Sequence, residues 1–141
     1  MHLELKYPAN WEVRSHGKQI GIFEPLENSS DNFEDNMVIW TEEMPMAISD
    51  SIYSRAATAE LLIKDSALKI DRQPPKKIGT TTYYPFAFSY LRGDSSWFHI
   101  SGYTVVSGTR GYNFSCISTR EAAARHQAQF EMILSHVKLL P

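Results

Sequence analysis

Apolar and polar positions alternate with period two through most of this chain, and two stretches break into helical spacing. Leu3-Glu4-Leu5-Lys6-Tyr7 alternates until Pro8 stops it. Trp11 to Arg14 alternates again, and His16-Gly17-Lys18 turns the chain into Gln19 to Phe23. Alternation of this kind marks strands with one buried face, and proline ends them because it lacks the donor a ladder needs. Residues 25 to 35 hold Pro, Asn, Ser and Asp, a loop composition, before a near-continuous apolar strand from Asn36 to Thr41.

Ser49, Asp50 and Ser51 offer N-caps to a first helix, whose side-chain oxygens accept from unpaired backbone donors. Ile52, Ala56, Ala59 and Ile63 recur at helical spacing and are expected to face a sheet, with Asp65-Ser66 ending the helix. Residues 67 to 117 read as an antiparallel meander. It contains Leu68 to Arg72, Thr80 to Leu91, a strand with Trp97, His99, Ser101, Tyr103 and Val105 on one face, and Tyr112 to Ile117. Pro85 belongs at an edge or a bulge. Ser118-Thr119-Arg120-Glu121 matches a capping box, and Gln127, Phe130, Leu134 and Val137, helped by Ile133, give the closing helix its inner face. The pattern predicts an α+β fold over residues 1–141 as a single domain, a central antiparallel sheet flanked by helices.

Composition narrows the roles available. At 141 residues, a domain buries roughly 70% of the surface its unfolded chain exposes. A net charge of −2 argues against a nucleic-acid partner, which needs a basic stripe. No stretch is apolar enough for membrane insertion, and the first residues lack the apolar run of a secretory leader. The sequence as it stands therefore reads as cytoplasmic, and as extracytoplasmic if an upstream leader has been removed. A single cysteine, Cys116, excludes an internal disulfide and a cysteine-rich zinc site.

The candidate chemistry is thin. Glu24, Glu27, Asp31, Glu34 and Asp35 could offer oxygens to a hard cation, but they lack the ligand cadence and central glycine of a calcium loop. A solvated loop is the better reading, with Asp31 and Asn36 fixing the backbone where it enters the strand. Cys116 with His99 could suggest a thiol and its base, yet nothing marks an orienting residue or an oxyanion donor. No catalytic residue, metal or cofactor is expected, and an enzyme is not. The aromatic residues of the meander are too many for one face, so a second face offers a surface of the composition enriched at interfaces.

Several short motifs resemble the Mog1/PsbP-like family, which includes PsbP-like, DcrB-like and LpqN-type bacterial proteins. They are Tyr7-Pro8 with Trp11, Phe23 with Pro25, Asp31-Asn32-Phe33 with Asn36, Lys77-Ile78-Gly79, and Phe130-x-x-Ile133-Leu134-Ser135-x-Val137. His136 departs from the family's aromatic-rich ending. The resemblance implies an αβα sandwich used chiefly as a non-catalytic scaffold: relatives act as assembly factors, as a partner of a small GTPase, or as chaperones. It carries over no catalytic residues.

Two functions follow. The first is a protein-binding, assembly or chaperone-like module, its contacts expected at Trp97, His99, Tyr103 and Tyr83 and, from the loop, Asp31 and Phe33. The alternative is a small-ligand carrier with a pocket between sheet and helix, lined by His99, Tyr84 and Cys116. A homodimer through an exposed strand edge is compatible with either.

Overall fold

In this computed structural model, residues 2–26, 33–93 and 96–141 are described. The main sheet has the order β2 (Glu12–His16), β3 (Gln19–Phe23), β4 (Asn36–Glu43), β9 (Arg110–Thr119), β8 (Trp97–Ser107), β7 (Thr81–Leu91), β5 (Asp71–Arg72), and β6 (Lys76–Ile78) also pairs with β7. Every pairing is antiparallel. The first strand is shorter than the alternation suggests: only Leu3–Glu4 (β1) pairs, and its partner is Lys138–Leu139 (β10). Helix α1 (Asp50–Lys64) lies on one face of the sheet, α2 (Ala123–Ser135) on the other.

The register sorts side chains between the two faces. Met37, Cys116 and Ser101 stand side by side across β4, β9 and β8, as do Ile39, Phe114 and Tyr103. This face meets α2 and forms the core with Phe130, Ile133 and Leu134. Tyr83, Tyr103 and Phe114 meet edge to face there, and burying each such ring contributes roughly 1.5–3 kcal/mol. The Tyr83 hydroxyl donates to the Leu134 carbonyl at 3.0 Å, tying β7 to the end of α2. On the opposite face Phe86, Phe98 and Ile100 are buried, with Phe88 and Tyr90 half-buried beside them.

Pro85 sits where expected. It pairs with Tyr103 on β8, while on its other side the ladder breaks between β6 and β5. Its carbonyl accepts there from Gln73 N at 3.0 Å, so the missing N–H leaves no gap in a continuous ladder.

Two local expectations are corrected. Ser49 caps α1, its hydroxyl accepting from Ile52 N at 3.3 Å, but the helix is turned the other way about. Tyr53, Ser54 and Thr58 are buried, whereas Ile52 and Ile63 are 57% and 84% exposed. Polar Thr58 can face inward because its hydroxyl donates to the Ser54 and Arg55 carbonyls of its own helix. The capping box does not form either. Ser118 and Thr119 pair with His99 and Phe98 as the end of β9, and α2 starts after Ala122 with no side-chain cap. The strand ladder satisfies those backbone groups first.

Candidate functional site

The strip of β7 and β8 beyond the reach of α2 carries small side chains. Ala87 pairs with Ser101 and Ser89 with His99, all on the α2 face of the sheet. On β8 the helix reaches this strip through Gln127, whose amide donates to the Tyr103 hydroxyl while its carbonyl accepts from Ser101 Oγ at 3.4 Å. Past that point the small residues leave a groove. One section, about 490 Å³, is lined by Ala67, Lys69, Ser89, Trp97 and His99 among others. It adjoins a smaller section of about 220 Å³ that reaches Gln127, and the two share Asp71, Ala87 and His99.

Trp97 and His99 are therefore brought together at this groove. Trp97 is 41% exposed, with the Arg120 guanidinium 5.2 Å from its ring centre, a stacking that holds the indole in place. His99 is half-buried, its Nδ1 3.4 Å from Ser89 Oγ. Burial lowers its pKa and favours the neutral ring.

The other expected contact residues do not join them. Tyr83 and Tyr103 are 0% and 2% exposed, which corrects their assignment to a contact surface: they share the Trp97 face, but α2 covers that half of it. Burial pushes both phenols well above the usual range. Phe33 is half-buried with its ring edge-on to Phe98 at 4.4 Å, packed on the opposite face of the sheet. Asp31 lies outside the described residues. The pocket of His99, Tyr84 and Cys116 does not exist, since Tyr84 pairs with Thr104 and faces away from the other two. Cys116 is 1% exposed, and burial raises its thiol pKa, which suits a structural thiol and not a nucleophile.

Sequence reasoning missed a polar cluster at the start of α2. His126 is 1% exposed, with Nδ1 2.9 Å from Glu24 Oε2 and Nε2 2.9 Å from Asp35 Oδ2. Gln129 Oε1 lies 2.8 Å from Nδ1 and Arg125 Nη2 3.1 Å from Nε2. The same carboxylate of Asp35 accepts from Thr119 N at 3.3 Å, and Glu24 N donates to the Asp35 carbonyl at 2.8 Å. Ligand atoms of Glu24, Asp35 and His126 lie within 4.8 Å of one another, and imidazole with carboxylates is a set that zinc-type ions use. Here both ring nitrogens are engaged by the carboxylates and a guanidinium stands at Nε2, so the cluster works as a clamp. It fastens both ends of the segment between Glu24 and Asp35 to α2. Only the burial of His126 had a sequence signal: it falls one helical turn before Phe130 on the apolar face of α2.

A third feature is a cleft of about 580 Å³ between α1 and the β3–β4 side of the sheet, with Trp40, Tyr53 and Asn113 in its lining and Lys18, Lys64, Glu42 and Glu60 among its charged groups.

No protein-family description matches the sequence, and no curated protein does. Solved structures do match. LpqN of Mycobacterium tuberculosis, described as involved in cell envelope biogenesis, superposes with a TM-score of 0.70 at 12% identity over 99% of this chain and 83% of its own. Cyanobacterial PsbP (CyanoP) from Synechocystis sp. PCC 6803 gives 0.56 at 11% identity, over 98% and 92%. The fold is Mog1/PsbP-like. A Bacteroides thetaiotaomicron structure gives 0.67 at 12% identity over 99% of this chain, which spans only 46% of that protein's length. The α+β architecture read from the alternation, and the sheet flanked by helices that the family resemblance implies, are thus shared with these proteins.

Proposed function

We propose that this Mog1/PsbP-like domain is a non-catalytic binding module that takes a segment of another protein into the groove at Trp97 and His99. The observation that carries this reading is the strip of Ala87, Ser89 and Ser101, small residues on the face that α2 otherwise fills with large ones. An elongated groove with an exposed indole at one end, a neutral imidazole at its centre and Lys69 and Asp71 on its rim suits an extended peptide: an aromatic anchor supplies most of the affinity and the rim fixes polarity. The chemistry of the groove suits binding: the nearby thiol is buried, and His99 Nδ1 lies within reach of the Ser89 hydroxyl.

Affinity capture from the native extract tests it, with wild type beside Trp97→Ala and Ser89→Tyr, the second filling the groove. A protein retained by wild type and lost with both variants, and then bound by the purified domain with NMR shifts centred on His99, is the expected result. Equal retention by all three overturns the reading. The cleft beside α1 favours a second one, a small-ligand carrier, since its volume lies within the roughly 300–1,000 Å³ of ligand sites and nearly buried Asn113 could orient a ligand. Ligand-induced thermal shifts that Trp40→Ala abolishes and Trp97→Ala leaves intact would favour it.

A further inference from the structure

The outward face of α1 is a seam without a partner among the described residues. Ile52, Ala56, Ala59 and Ile63 recur at spacings of four, three and four, the interval of a and d positions in a heptad. At about 100° per residue they fall within a stripe roughly 60° wide, on the side opposite buried Ser54 and Thr58. Ile52 is 57% and Ile63 84% exposed, and Ala56 and Ala59 are exposed between them. Leu62, 40% exposed, widens the patch. Together these side chains form one apolar patch along the helix, the kind of surface that marks an interaction site.

We propose that α1 pairs with α1 of a second copy of this chain, the two helices parallel about a two-fold axis running along the seam. Charge placement selects this occupant and this direction. With Ala56 and Ile63 at a and Ile52 and Ala59 at d, Arg55 falls at g and Glu60 at e, both exposed. In a parallel pair the g residue of one helix meets the e residue five positions further along its partner. Arg55 therefore meets Glu60 of the other copy, and the symmetry makes the contact twice. In an antiparallel pair g faces g and e faces e, so Arg55 and Glu60 would lie on opposite sides of the seam and the match would be lost. The two alanines let the axes approach to about 8 Å, while isoleucine layers close the seam at each end. Glu60 already lies 3.4 Å from Lys64 of its own helix, and an exposed carboxylate can accept from both cations.

The seam covers about two heptads, less than the roughly 800 Å² per partner of a standard interface, so the dimer forms at high local concentration. Since the helix is already ordered by its domain, pairing does not have to fold it. This face is separate from the Trp97 groove, and the dimer stands or falls independently of the binding reading.

Sedimentation velocity across about 10 μM to 1 mM tests it, with wild type, Arg55→Glu, Glu60→Arg and the double swap. Wild type is expected to shift toward dimer with concentration, each single reversal to weaken the dimer about tenfold or more, and the swap to restore it. In parallel, Ala59→Cys is oxidised. A parallel seam places Cβ atoms of position 59 against each other, so a covalent dimer forms readily, the native thiol being buried. All substituted positions are exposed, and circular dichroism confirms that each variant folds. A wild type monomeric throughout, single reversals without effect, a swap no better than the singles, or no cross-link at position 59 each overturns the proposal.

Discussion

The ring of Tyr53 on α1 lies directly over Gly111 on β9: a Cβ built on Gly111 would sit 2.4 Å from two of its ring atoms. This contact explains how α1 is oriented. A large inward side chain fills the space left by a residue with none, Asp50 fixes the N-terminal end by accepting from Val106 N at 2.7 Å, and the aliphatic row is turned outward. Gly111→Ala should therefore destabilise the fold by about 1–3 kcal/mol, the usual cost of overpacking. Adding Tyr53→Val, which removes the clashing ring, should cost less than the sum of the two single changes. Urea unfolding of the three variants checks this, and additive losses would show that the ring does not depend on the glycine.

How much of this could be read from the sequence depends on the range of the interaction. Period-two alternation placed the long strands correctly, and proline chemistry placed Pro85 at a break in the ladder, because both are local. Alternation also put Trp97, His99 and Tyr103 on one face. It could not say that α2 covers Tyr103, which makes it core, and leaves His99 at a groove. The stripe Ile52–Ala56–Ala59–Ile63 was visible as a helix face but was assigned inward, because the gap at Gly111 that draws Tyr53 in lies 58 positions further along the chain. Ser118 and Thr119 looked like a cap until their pairing with His99 and Phe98 claimed them. The Glu24–His126–Asp35 clamp joins three distant segments, and no spacing rule reaches across them.

That clamp carries a second prediction. His126→Leu keeps apolar bulk on α2 and removes the bridge between two largely buried carboxylates, and should cost about 3 kcal/mol. Asp35→Asn should cost less, since the amide oxygen can still accept from Thr119 N. The order of the two denaturation midpoints decides the point. A histidine variant as stable as wild type would mean the imidazole is filler.

Two pH windows should separate. Burial lowers the His99 pKa, so the unfolded chain takes up that proton first. Stability from this group is present above the unfolded value of about 6.5 and is lost as pH falls through it toward the folded value. For Glu131, burial alone would raise the carboxyl, but hydrogen bonds from Lys76 and Gln127 and the charge of Lys76 outweigh it and leave the pKa lowered. Its contribution is present above about pH 4.3 and disappears as the pH drops further. His99→Asn should flatten the stability profile in the upper window, and Glu131→Gln only in the lower. Thermal melts from pH 4 to pH 8 and urea melts below pH 5 test this, and an effect of either variant in the other's window would contradict the assignment.

Cys116 gives the last test, because it reports on the whole core. Its side chain lies in the centre of the sheet, between Met37 on β4 and Ser101 on β8, and burial both hides the thiol and raises its pKa. Native protein should react with an aromatic disulfide reagent far more slowly than a free thiol, at a rate that follows the opening of the core. Destabilising variants such as Gly111→Ala should speed the reaction in proportion to their loss of stability, since the thiol is reached only from opened states. Trp97→Ala, at an exposed position at the end of β8, should leave the rate nearly unchanged. Fast native labelling would place the β4–β9 seam among locally opening elements and require a looser core than this packing describes.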